Sequence, residues 1–169
     1  GLGDVYKRQD QNPTHLYAQA GLYNVTLTVT DINGCIGDTI IIVTVDTLPI
    51  SNFSATEECN GDSTIFTDLS QGTSGNITNW NWNFGDGNNS TDQNPTHLYA
   101  NYGSYNVNLT VTDDNGCIHD TTITVIVRPN PIANFSATTI CEGDTTVFTD
   151  ASTTINPFCL LYTSDAADE

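Results

Sequence analysis

Basic residues are nearly absent from this chain: its 169 residues hold 3 Lys plus Arg against 20 Asp plus Glu, a formal charge of −17. That scarcity excludes a surface for nucleic acid or anionic lipid, because phosphate contacts need Lys and Arg. Methionine is missing altogether. No segment carries the 3.6-residue apolar period of an amphipathic helix, and no membrane insertion is expected of it. No nucleophile, base and orienting group stand at a suggestive spacing, so the chain is not expected to be an enzyme. His15 and His97 have no other His or Cys nearby at zinc-ligand spacing. Hydrophobic residues make up only 37% of the chain. Thr, Asn, Ser and Gly fill the gap in place of Glu, Lys and Pro, which is the composition of a Thr-rich β protein rather than a disordered acidic tail.

Two of the three bases, Lys7 and Arg8, lie within the first nine residues. Residues 1–9 and 159–169 match no pattern found elsewhere in the chain. Both read as in-frame translations of sequencing-adapter DNA and are set aside from fold reasoning. The remaining stretch, residues 10–158, reads as a piece of a longer frame in which Arg128 is the sole base and Cys35, Cys59, Cys117 and Cys141 are the cysteines.

One period of 82 residues organises that stretch. Asp-Gln-Asn-Pro-Thr-His-Leu-Tyr-Ala occurs at 10–18 and again unchanged at 92–100, and 27 of the 37 positions from Asp10 to Asp46 equal the residue 82 places later. Asn-Phe-Ser-Ala-Thr at 52–56 recurs at 134–138, and Phe-Thr-Asp at 66–68 recurs at 148–150. The repeats divide the chain into the C-terminal half of one unit (10–46), a complete unit (48–128) and the N-terminal third of another (130–158). Pro49, Pro129 and Pro131 mark the joints as short, semi-rigid linkers, since proline fixes φ and cannot donate to a ladder.

Within the complete unit the apolar period is two. Tyr105, Val107, Leu109 and Val111 alternate with Asn106, Asn108, Thr110 and Thr112, as a half-buried strand requires. Trp80, Trp82 and Phe84 alternate with Asn81 and Asn83 in the same way. Strands are expected near 52–56, 64–68, 78–84, 96–99, 104–112 and 120–127, making a small antiparallel sandwich. Asn115-Gly116 predicts a hairpin with a type I′ turn, whose two central residues both need φ > 0.

Three motifs stand in order: Trp-Asn-Trp-Asn-Phe-Gly-Asp-Gly at 80–87, Asn-Pro-Thr-His-Leu-Tyr at 94–99, and Gly-Ser-Tyr-Asn-Val-Asn-Leu-Thr-Val-Thr-Asp at 103–113. Together they resemble the polycystic-kidney-disease-type (PKD) domain, with its pattern Trp-x-Phe-Gly-Asp-Gly, Pro-x-His-x-Tyr and Gly-x-Tyr-x-Val-x-Leu-x-Val. The matching positions are Trp82, Phe84, Gly85, Asp86, Gly87, Pro95, His97, Tyr99, Gly103 and Tyr105. The resemblance covers residues 48–128 and both flanking partial units. It implies an all-β fold of immunoglobulin-like antiparallel β-sandwich repeats standing in tandem in surface or secreted proteins. In bacteria such domains also accompany secreted hydrolases and adhesins. The Asn- and Thr-rich style resembles arrays from large Bacteroidetes surface proteins.

The same residues have physical readings of their own. Gly85 and Gly87 permit the positive φ of a tight turn, and the Asp86 carboxylate can accept backbone N–H bonds there. Catalysis by Asp86 lacks a second acid or nucleophile. His15 and His97 read as structural imidazoles, and His119, replaced by Gly37 in the other copy, reads as surface. Asp86, Asn88, Ser90 and Asp92 offer oxygens at alternate positions and are the weak calcium candidates; the EF-hand order is absent, and turn chemistry explains them better. No other cofactor is expected. Trp80 and Tyr102 are the aromatic candidates for stacking on a sugar ring, since alternation sends Trp82 and Phe84 into the core.

The cysteines suggest a disulfide framework in an oxidising compartment. Sequence leaves the pairing open. Cys59 and Cys117 are expected at opposite ends of one unit, and a Cys before the second strand could meet the hairpin Cys of the following unit. Free thiols packing as small apolar groups are the alternative. The functional expectation is a non-catalytic extracellular spacer and adhesion module, whose partners are neighbouring repeats of the same chain and surface glycans or proteins. The alternative is a carbohydrate-binding accessory domain of a secreted hydrolase.

Overall fold

The computed structural model describes residues 11–153. Both proposed adapter segments lie outside that range. Among the described residues there are twelve strands and no helix. The first partial unit is a hairpin of β1 (Gly21–Thr30) and β2 (Ile36–Val45). The complete unit contains β3 (Phe53–Ala55), β4 (Glu58–Cys59), β5 (Thr64–Asp68), β6 (Ile77–Asn83), β7 (Asn89–Ser90), β8 (Thr96–His97), β9 (Gly103–Asp113) and β10 (Ile118–Arg128). The last partial unit adds β11 (Phe135–Ala137) and β12 (Phe148–Asp150).

Two sheets build the complete unit, one in the order β4-β10-β9-β6-β7 and the other β3-β5-β8. All their pairings are antiparallel except the short one between β10 and β4, where Val127 faces Glu58 and Arg128 faces Cys59. Alternation decides which side chains go inside. From the larger sheet Trp82, Val107, Leu109, Val111, Val125 and Val127 are buried, and from the smaller Phe53 and Phe66 meet them. Trp82 is the hub: its ring centroid lies 5.1 Å from that of Phe53 and 5.4 Å from that of Phe66. Its indole N–H, which would be costly to bury alone, donates to the Asp92 carbonyl at 2.8 Å. The Ser51 hydroxyl, also buried, reaches across to the Leu109 carbonyl at 2.9 Å.

Three local features depart from the sequence reading. The two-residue strands β4 and β7 are too short to show a period, and nothing in their composition marks them. The Asn115-Gly116 hairpin is not type I′: no residue other than glycine has positive φ among those described, and only Gly116, at +83°, does so in this turn. The Gly116 amide donates to the Asp113 carbonyl at 3.1 Å and the Asp113 amide to the Cys117 carbonyl at 3.0 Å, which is a three-residue loop closing on a glycine bulge. The Asp113 carboxylate accounts for the change, because its Oδ1 accepts the amides of Asn115 and Cys117 at 3.0 and 2.8 Å and so supplies the turn from its own side chain. Asp31 does the same for Asn33 and Cys35 at 2.9 and 2.8 Å. Third, His119 is half-buried rather than plain surface, and its Nδ1 accepts the Ser51 amide at 3.2 Å.

Among the described residues the partial units keep their local pairings without a second sheet above them. Val25, Leu27 and Val29 of β1 are 37%, 61% and 57% exposed, whereas their counterparts Val107, Leu109 and Val111 are at 0%. Phe135 and Phe148, counterparts of the buried Phe53 and Phe66, are likewise exposed. The joint between the first two units is more ordered than a free linker. The Thr47 amide donates to Ser74 Oγ at 2.9 Å, and the Thr73 hydroxyl donates to the Leu48 carbonyl at 2.8 Å. Pro49 is fully buried beside them.

Candidate functional site

The most concentrated set of interactions gathers the three motifs at one edge of the sandwich. At the end of β6 the chain turns through Gly85 and Gly87, at φ +80° and +98°. Gly85 has no room for a side chain, since a Cβ would lie 2.6 Å from the Asn106 carbonyl oxygen. Asp86 closes this turn by accepting the Asn88 amide at 3.0 Å on Oδ1 and the Asn88 side-chain amide at 3.0 Å on Oδ2. His97 Nε2 meets Asp86 Oδ2 at 2.7 Å, and because an ionised carboxylate only accepts, the proton of that bond sits on Nε2. The imidazole stacks on Phe84, centroids 4.2 Å apart and rings 4° from parallel, and meets Tyr99 edge-on at 4.6 Å.

Tyr99 continues the stack onto Tyr105 at 4.0 Å, and its hydroxyl donates to the Phe84 carbonyl at 3.1 Å. Burial, followed by the charges of Asp86 and Tyr105, pushes the Tyr99 phenol far above its ordinary range. The Tyr105 hydroxyl donates four residues back to the Asn101 carbonyl at 2.7 Å, and Tyr23 repeats this with Gln19 at the same distance. Pro95 is buried, with its carbonyl accepting the Phe66 amide at 2.9 Å, which ties the second motif to β5. Gly103 is in extended backbone at the start of β9. The motif side chains are thereby engaged with the protein itself.

Two carboxylates carry displaced pKa values here. Burial works against the charged form of Asp86, but hydrogen bonds from His97 and Asn88 outweigh it and hold the pKa below the ordinary value. Burial opposes ionisation of Asp68 as well, and bonds from Ser70, Gln93 and Trp80 overcome it. A depressed folded pKa contributes stability that is fully present above the unfolded Asp value of about 3.9 and is lost as pH falls through the folded one. Acid titration followed by tryptophan fluorescence is therefore expected to show stability falling below about pH 4, and D86N to show a shallower fall. Parallel profiles for the two proteins would contradict the role assigned to Asp86.

The calcium candidates bond among themselves in two pairs. Asp86 bonds to Asn88 and to His97, while Ser90 and Asp92 bond to each other, with the Asp92 amide donating to Ser90 Oγ at 3.2 Å. Among the described residues no group of three or more His, Cys, Asp or Glu side chains is arranged to hold a metal ion. A shallow groove of about 110 Å³ runs between residues 55–57 and 123–126, small beside the roughly 300–1,000 Å³ of small-molecule sites.

Residues 1–45 and 47–127 each match the model of the PKD domain. The chain belongs to the PKD domain family. Pre-pro-metalloprotease PrtV of Vibrio cholerae is 38% identical over 104 residues, 60% of this chain and 11% of that protein. Collagenase ColA of Bacillus cereus is 38% identical over 72 residues, 43% of this chain and 8% of that protein. The chain thus spans about a tenth of the length of the curated relatives it matches. Among solved structures, the PKD1 domain of the Vibrio cholerae metalloprotease PrtV is 37% identical, covering 48% of this chain and 98% of that one, with a TM-score of 0.46.

In this PKD fold the two aromatic candidates part company. Trp80 is half-buried against the core, and its indole N–H donates to Asp68 Oδ2 at 2.7 Å, so its ring is fixed as part of the sandwich. Tyr102 is 59% exposed and is the one of the two candidates with an open face. Asp68 is the residue that motif reading missed; its recurrence at Asp150 was the available signal. The cysteines fall at the two ends of the PKD sandwich, as their spacing suggested: Cys59 faces Arg128 at the end of β10, whereas Cys117 precedes the first residue of that strand. Cys59 is disulfide-bonded; Cys35, Cys117 and Cys141 carry free thiols.

Proposed function

We propose that this chain is a non-catalytic spacer and adhesion module, a run of tandem PKD domains in an extracellular or cell-surface bacterial protein that makes protein–protein or protein–carbohydrate contacts. The observation that carries this reading is the joint. Two PKD matches follow one another with Asp46 alone between them, and Thr47 and Leu48 are hydrogen-bonded to the loop at residues 73–74 of the second unit. Such a joint holds beads in line, and the acidic surface keeps them soluble and apart. The function needs no cofactor. Pulling a polyprotein of complete units by atomic force microscopy tests it: each 82-residue unit should unfold separately, adding roughly 27 nm of contour length at about 3.3 Å per residue. A chain that extends smoothly without such steps would sink the spacer reading.

The second reading, a carbohydrate-binding accessory domain of a secreted hydrolase, is supported by the relatives named as a metalloprotease and collagenases and by the exposure of Tyr102. It predicts binding to a glycan array that is lost in Y102A. That substitution truncates a mostly exposed side chain and should change stability by no more than about 0.5 kcal/mol, so a loss of binding would report on contact and not on folding.

A further inference from the structure

The two cysteines of the complete unit stand at its opposite ends, each beside the place where a neighbouring unit joins. Cys117 closes the hairpin loop of the complete unit, and that loop is bound to the linker end of the molecule. The Asn76 amide donates to Asp114 Oδ1 at 3.0 Å, and Asn76 follows the Ser74 that accepts the Thr47 amide at 2.9 Å. Gly75 lies so close to the hairpin that a Cβ there would stand 2.0 Å from Asp114 Oδ1. Thr47 and its neighbour Asp46 are therefore held beside the hairpin of the second unit. At the other end of the same unit Cys59 is the register partner of Arg128, and the Asn60 amide donates to the Arg128 carbonyl at 2.8 Å. Arg128 is the counterpart of Asp46, 82 residues on. A complete preceding unit places its counterpart of Cys59 beside Asp46, one strand spacing of about 4.8 Å away.

We infer that consecutive PKD units are stapled by a disulfide between the cysteine of the short β4 strand in one unit and the hairpin cysteine of the next. This rests on the reading of the chain as part of a tandem array. In forming the bond, one thiolate attacks the disulfide of an oxidant such as oxidised glutathione and expels one thiolate. The second cysteine thiolate then attacks the mixed disulfide and expels the other. Two protons leave the protein, two electrons pass to the oxidant, and the oxidant departs as two thiols. Cys117 is half-buried with a free thiol. Burial, then the carboxylates of Asp113 and Asp46, raise its pKa, so oxidation should run faster in mildly alkaline buffer.

The test lengthens the full chain by replacing residues 1–9 with a copy of residues 48–91, which completes the first unit, in a C35S and C141S background. After exposure to oxidised glutathione, alkylation of Cys117 should fall about tenfold or more, because the tethered partner acts at high effective concentration. Mass spectrometry should show the copied β4 cysteine joined to Cys117. Full alkylation of Cys117, or its bonding elsewhere, overturns the proposal. As a second measurement, D46C in the original chain should be bridged to Cys117 within one molecule by a short bismaleimide; failure to bridge overturns the geometry on which the staple depends. Loss of the staple with stepwise unfolding intact would leave the spacer reading standing, so the two outcomes separate.

Discussion

Truncating Trp82 to alanine is expected to cost the complete unit about 3–5 kcal/mol, the usual range for a large buried aromatic. Domains of this kind have about 5–15 kcal/mol in all, so W82A should be largely unfolded or close to it. The magnitude follows from its position. The ring is at 0% exposure and contacts Phe53 and Phe66 across the two sheets. Its removal also orphans the Asp92 carbonyl that accepts the indole N–H. Guanidinium melts followed by the remaining Trp80 measure this directly. A W82A midpoint within experimental error of the parent would mean that the core lies elsewhere. W80F should be milder, since Trp80 packs only at the rim and loses chiefly its bond to Asp68.

Gly85 gives the second large effect. G85A meets two penalties at once: positive φ, costing about 1 kcal/mol for a residue with a Cβ, and overpacking of about 1–3 kcal/mol against backbone that cannot swing away. The atom in the way is the Asn106 carbonyl oxygen at 2.6 Å. Gly87 provides the control, because it has φ +98° with nothing within 4 Å of a built Cβ. G87A should therefore carry the conformational cost alone. The difference between the two midpoints isolates the close approach of the β6 turn to β9, and equal destabilisation would show that approach to be unimportant.

Much of this was legible in the sequence because each feature has a local cause. Alternation of Tyr105, Val107, Leu109 and Val111 with polar residues is a direct image of a strand lying on a core. The 82-residue period revealed the units without any assignment of elements. Other features depend on neighbours that are far off in the chain. Val25, Leu27 and Val29 have the same identities as their buried counterparts yet stand exposed, because burial is supplied by the facing sheet and not by the strand. The bond between Trp80 and Asp68 joins strands of different sheets, and alternation alone cannot report it. The hairpin at residues 113–117 was misassigned because the dipeptide rule weighs Asn-Gly alone. The Asp two residues earlier, whose carboxylate accepts two amides, is what selects the longer loop.

Residues 48–128 are expected to form a complete sandwich sufficient for its own stability, flanked by segments whose apolar faces have no covering sheet among the described residues. An isolated two-stranded hairpin is marginal in water, so β1 with β2 and β11 with β12 should open far more readily than the central unit. Native-state hydrogen exchange on the full chain tests this most directly. The expected result is strong protection of β5, β6, β9 and β10, lost together at high denaturant, with rapid exchange in 21–45 and 132–153. Equal, cooperative protection across all three segments would contradict it, and would mean that the flanking hairpins share one folded unit with the centre.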